Sequence, residues 1–149
     1  FGVSVATASI AEFSQMCADQ LIEFEQMVFD QLKSAPVKHL DETGYRICSK
    51  TQWLHVCSNA DYTFYHVSPK RKSLLSGLTG IVVHDHWKSY FTLEGVSHAL
   101  CNAHHLRELR SLAEDGEIWA KRMMRLLRKS CHLVNTSEQS VLLPDKRVY

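Results

Sequence analysis

Gly80-Ile81-Val82-Val83-His84-Asp85 is the stretch that most narrows the fold of this chain. Ile81, Val82 and Val83 run together with no polar position between them, so a strand here must be covered on both faces. The chain supplies helices for that cover. Ile10, Phe13, Cys17, Leu21, Phe24, Val28 and Leu32 recur at intervals of three and four, which predicts one long amphipathic helix. Ser9 with Glu12 fits a capping box at its start, with Ser4 and Thr7 as earlier alternatives. Pro36 ends it, because the residue before a proline is pushed out of the helical region. From Ala103 onward the pattern is helical again. Leu106, Leu109 and Leu112 share one face until Asp115-Gly116, and Trp119, Met123, Leu126, Leu127 and Cys131 then define the inward face of a second helix.

Between these helices the chain is β-rich. Residues 37–42 read as a short strand. Residues 52–58 and 62–68 alternate around Asn59-Ala60-Asp61, the pattern of a hairpin. Residues 45–49 add a strand if they pair separately, and 97–101 another. Residues 70–78 are expected to form a short helix with Leu74, Leu75 and Leu78 inward, and 87–91 a second short helix. A mixed sheet with helices packed around it is the natural layering for this order. The expected class is α/β (mixed α+β) with about five strands, the first and fourth side by side in the middle. Residues 1–36 form the leading helix, 37–102 the core and 103–149 a helical region.

At 149 residues the chain is long enough for one domain with a real core. No apolar run approaches the roughly 20 residues that span a bilayer. Phe1-Gly2-Val3 has neither an initiator Met nor a signal-peptide pattern, which reads as a piece of a longer protein. Five scattered cysteines, an odd number, argue for reduced thiols in a cytoplasmic protein. Net charge is +1, but residues 1–42 hold seven acids against Lys33 and Lys38, whereas 103–149 hold nine Lys or Arg against six acids. The basic end suits nucleic acid or a plain solvated face.

Asp41 lies at the expected end of the first strand and Asp85 at the end of the fourth. Parallel neighbouring strands would bring both carboxylates to one rim of the sheet. Strand alternation puts His39 and Asp41 on one face of their strand and Val83 and Asp85 on one face of theirs, so a common side for the two acids is geometrically possible. Two like charges held close are costly unless a cation neutralises them, and magnesium takes oxygen ligands of this kind. The plainer reading has Asp41 opening a turn and Asp85 capping the next helix.

The sequence words around the acids add to this. HLDETGYR, WLHVCSNADYTFYHVSPKR, GIVVHDHWKSY and HALCNAHHLREL, in this order, resemble the catalytic domain of bacterial insertion-sequence transposases of the IS-sixty-six family. The resemblance covers roughly residues 4 to 130. It implies an RNase H-like fold and DDE chemistry, in which two Asp and one Glu hold two Mg2+ (or Mn2+) ions and cut and rejoin DNA. Asp41 matches the first acid, in D-E-T-G, and Asp85 the second. Glu42 is then a structural neighbour. The family's third acid lies downstream in an N-N-x-x-E-R-like motif that is not found here, so the chain is expected to be catalytically incomplete. Glu108 in H-L-R-E-L is the tempting substitute, although that segment is not where the family's third acid resides. A surface role, or an ion pair with Arg107 or Arg110, is the alternative for it. His86-Trp87 also departs from the family's usual Gly and aromatic after the second acid, and its bulk is expected to narrow the site's mouth.

Lys70, Arg71 and Lys72 are candidate phosphate contacts, as are Lys121, Arg122, Arg125, Arg128 and Lys129. Cys101 and His104 have a C-x-x-H spacing, but a structural zinc site wants four ligands and Cys131-His132 is a poor second pair, so zinc is not expected. The expected partners are transposon-end and target DNA and further copies of the chain, in the bacterial cytoplasm at the nucleoid, with no membrane. Two other classes fit the same residues: a non-catalytic RNase H-like domain that binds DNA or partners, from a degenerate transposon, and a zinc-stabilised helical binding module.

Overall fold

The computed structural model describes residues 2, 4–72 and 75–136. Leu74 and the tail from 137 lie outside that range. The elements in order are α1 (Thr7–Gln20), α2 (Ile22–Ser34), β1 (Val37–Ile47), β2 (Lys50–Ser58), β3 (Thr63–Ser68), β4 (Gly80–His84), a 3-10 turn (Tyr90–Thr92), β5 (Val96–Leu100), α3 (Asn102–Glu114) and α4 (Ile118–Thr136). The five strands form one sheet in the order β3-β2-β1-β4-β5. β1, β2 and β3 are antiparallel neighbours, while β1 with β4 and β4 with β5 are parallel. This is the mixed sheet expected, with the first and fourth strands adjacent in its middle.

Several details differ from the sequence expectation. β1 does not stop near Glu42. It runs on to Ile47 because β2 pairs with it residue for residue, from His39 opposite Ser58 to Ile47 opposite Lys50. Cys48 and Ser49 close that hairpin with φ of 48° and 64°. A two-residue turn with both central residues at positive φ usually uses Asn or Gly, so this one carries no sequence signal. The second hairpin is conventional: Asn59 Oδ1 accepts the N–H groups of Asp61 and Tyr62. Among the described residues of 70–78 there is no helix, and the helix expected at 87–91 is reduced to the 3-10 turn.

The long N-terminal helix divides at Leu21, whose N–H reaches back to the Ala18 carbonyl. Its cap is Ala6 without a side-chain hydrogen bond, so the Ser9–Glu12 capping box does not form. Of the helices, α2 makes the principal packing on the sheet. Val28 and Leu32 join Leu40, Cys57, Leu78, Val82 and Tyr90 in the main core, and Phe29 stacks on Phe64 at 4.6 Å. α1 buries nothing. In α4 the buried positions are Ala120 and Met124, one residue round from the expected face, and Trp119 is 52 % exposed. α3 offers only a narrow apolar strip (Leu106, Leu109, Ala113), and α4 turns its small residue Ala120 toward it.

Gly80 fixes the entry into β4. Its φ is +74°, and a Cβ there would sit 2.7 Å from the Pro36 carbonyl oxygen, the same oxygen that accepts the Ile81 N–H. Gly80→Ala combines left-handed strain with a backbone clash. It is expected to destabilise the protein by about 2–3 kcal/mol, read as a lower urea midpoint with unchanged m-value.

Candidate functional site

β1 and β4 bring the two aspartates to one rim. Their parallel register pairs Val37 with Ile81, Lys38 with Val82 and His39 with Val83. Continuing it by two residues sets Asp41 beside Asp85. β4 ends at His84, so β1 loses its neighbour on that side just where Asp41 stands, and Asp41 is exposed. Each carboxylate makes one local bond. Asp41 Oδ1 accepts the Glu42 N–H at 2.9 Å, and Asp85 Oδ1 accepts the Trp87 N–H at 2.9 Å. Asp85 thus caps the turn after β4, as the plainer reading expected, while standing at the shared rim.

Glu42 has the opposite orientation. Strand alternation turns it toward Leu40 and the core, where its side chain is 2 % exposed. Arg71 donates to its Oε1 from Nε (2.8 Å) and from Nη2 (2.5 Å), and the Tyr90 hydroxyl donates to its Oε2. Burial, the Glu42 hydrogen bond and the charges of Glu42, Asp41 and Asp85 together push the Tyr90 phenol far above its ordinary range. Tyr90 therefore remains a neutral donor within the field of all three acids. Arg71 lies 4.1 Å over the Trp87 ring and 5.0 Å from that of Trp53. Trp53 in turn lies over Gly44, where a Cβ would meet the indole at 3.3 Å. The D-E-T-G, W, R and H-D-H-W words of the sequence are thus one interlocked cluster beneath the aspartate rim.

On the β4 side, His84 is fully buried and stacked on Tyr90 at 4.8 Å. Its Nδ1 donates to the Asp85 carbonyl at 2.5 Å, which leaves Nε2 to accept from His98 Nδ1 at 2.9 Å. Burial lowers the His84 pKa from the ordinary 6.5, keeping the ring neutral. These contacts hold the Asp85 backbone in place. Sequence reasoning marks Glu42 as structural without naming its partners, and it misses the pairing of buried His84 with His98, because a strand residue's role depends on which face its neighbours cover.

The other predicted residues are placed as follows. Glu108 projects from α3 toward the same rim, 3.8 Å from His86 Nδ1 and paired with neither Arg107 nor Arg110. His86 Nε2 lies 3.2 Å from His105 Nε2, so the bulky residue after Asp85 is braced against α3. Lys70 and Lys72 are exposed, whereas the Arg71 guanidinium is committed to Glu42 and the two indoles. Lys121, Arg125, Arg128 and Lys129 join Arg110 and His132 in a groove of about 890 Å³ between α3 and α4, and Arg122 lies outside it. Cys101 precedes α3, its N–H bonded to the His84 carbonyl at 2.8 Å, and His104 Nδ1 is buried without a partner. Among the described residues no group of three His, Cys, Asp or Glu converges on a point that would hold a metal. Asp41 and Asp85 are the two carboxylates that the register brings to the rim, and two such oxygen donors could hold a hard cation such as magnesium.

The strand order, the mixed sheet and its flanking helices mark the class, an α+β domain compatible with an RNase H-like fold. The chain belongs to the family described as Transposase IS66 family, whose profile matches residues 1–148. Neither the curated proteins nor the solved structures contain a match to it. No helix among the described residues is long and apolar enough to cross a membrane.

Proposed function

We propose that the chain carries the catalytic rim of a DDE transposase, with Asp41 and Asp85 as its paired metal-binding carboxylates. The observation that carries this reading is the β1–β4 register, which runs from Val37–Ile81 to His39–Val83 and, continued by two residues, aligns two acids 44 positions apart in the sequence just past the end of β4. Two carboxylates side by side repel each other and stabilise a divalent cation by the same charge. Bound there, a pair of such ions would activate the oxygen attacking a DNA phosphodiester and stabilise the one that leaves. The protein's own part is positioning. Tyr90, Glu42 and Arg71 lock β1 to the loop after β4, and His84 and His98 hold the Asp85 backbone. Glu108 lies 3.8 Å from His86 Nδ1 and is not counted among the ligands.

The test is a Mn2+ titration followed by electron paramagnetic resonance. Saturable loss of the free-ion signal is expected, and a protein that leaves Mn2+ free at millimolar concentration overturns the reading. The groove between α3 and α4 supplies the DNA contact. Its cations flank Met124 and Ala113, with Glu114 the single acid lining it. Neutralising Arg125→Gln together with Arg128→Gln should lower the slope of log affinity against log salt by about 2, one phosphate for each cation removed. A fluorescence-anisotropy series on duplex DNA between low and moderate salt measures it.

A further inference from the structure

α1 and α4 share an unusual property: each is a well-formed helix with an apolar stripe that stays largely exposed among the described residues. α1 buries no residue, and Ile10, Phe13 and Met16 are each more than half exposed. An isolated helix of this length is marginal in water. On α4, Trp119, Met123, Leu126 and Leu133 follow one another at four, three and seven residues. This seam borders the strip packed on α3, and its members are 41–57 % exposed. The principal packing of α1 is against α2 and that of α4 against α3, so neither stripe is covered by the other within one chain.

The flanks of the two stripes have opposite charge. Glu12 and Asp19 follow one edge of the α1 stripe, and α1 with α2 carries five acids against Lys33 alone. Arg122 and Lys129 follow the edge of the α4 seam, and α4 carries five Lys or Arg and no acid. A seam of apolar positions with opposite charges along its border is the pattern by which helices select partners.

We infer that the stripe of α1 docks on the seam of α4 in a second copy of the same chain. Each copy offers one acidic and one basic stripe, so two copies related by a twofold axis satisfy all four at once and leave no open end. This gives a surface to the oligomer that the transposase reading expects. It stands on the helix faces alone, and the aspartate rim takes no part in it.

Sedimentation equilibrium of the chain tests the inference. A dimer is expected at micromolar concentration, weakening about tenfold or more as salt is raised to screen the flanking charges. Two charge-reversal variants sharpen the result, since every altered side chain is on the surface and circular dichroism can verify that both stay folded. The first is Glu12→Lys with Asp19→Lys, and the second is Arg122→Glu, at a residue outside the α3–α4 groove. Each alone should sediment as a monomer. Mixed in equal amounts they should form a heterodimer, because both contacts then pair opposite charges again. A monomeric wild type, variants that remain dimeric, or a mixture that fails to associate would each overturn the proposal. Mn2+ binding in both variants should match wild type, which separates failure of this interface from failure of the metal site.

Discussion

Replacing Arg71 with methionine is expected to lower stability by about 3 kcal/mol, far more than Lys70→Met or Lys72→Met. The reason is what Arg71 leaves behind. Glu42 is 2 % exposed, and two of its three side-chain hydrogen bonds come from the Arg71 guanidinium. Without that partner a buried carboxylate keeps only the Tyr90 hydroxyl. Leaving one member of a buried ion pair uncompensated typically costs about 3–5 kcal/mol. The lower end applies here because Arg71 is itself 41 % exposed and water reaches part of the pair. The methionine retains contact with Trp53 and Trp87, so lost packing does not confuse the measurement. The neighbouring lysines are exposed, and their removal should stay within about 0.5 kcal/mol. Urea denaturation of the three variants gives the comparison. Equal effects at positions 70, 71 and 72 would show that Arg71 is an ordinary surface cation. Glu42→Leu applied to the Arg71→Met protein should recover part of the loss, since it removes the stranded charge.

Asp41→Asn and Asp85→Asn are expected to have the largest effect on function with almost none on the metal-free fold. Asparagine keeps the oxygen that accepts the Glu42 N–H or the Trp87 N–H, so the local bonds survive and only the charge is removed. Metal-free variants should therefore match wild type, or exceed it by about 0.5 kcal/mol as like-charge repulsion at the rim is relieved. Metal-loaded proteins should differ sharply. At a Mn2+ concentration about 100 times its dissociation constant, wild type gains about 2.7 kcal/mol from binding the native state alone. Each variant should lose most of that gain. Thermal unfolding with and without Mn2+ reads both quantities at once, and an identical metal-induced rise in Tm for all three proteins would remove the aspartates from the site.

Much of the scaffold is legible in the residues. A run such as Ile81-Val82-Val83 has to lie inside the sheet, and a chain that returns to it after three antiparallel strands brings the first strand alongside. That places Asp41 near Asp85 before any coordinate is known. The hairpin between β1 and β2 is harder to read, because Cys48 and Ser49 take positive φ without the residues that usually announce it. The face of α4 is harder again. Leu126 and Leu127 are adjacent, either can point inward, and only the narrow apolar strip of α3 selects Ala120 and Met124 for burial.

By itself, then, the amino-acid order determined the succession of the main strands and helices and the adjacency of the first and fourth strands, because periodicity and burial are local consequences of composition. Tertiary structure alone decided what each polar side chain does. Glu42 and Asp41 are neighbours with the same charge, yet one is held in the interior by Arg71 and Tyr90 while the other stands at the open rim. A strand turns alternate residues to opposite faces, and which face is covered depends on elements far away in the chain.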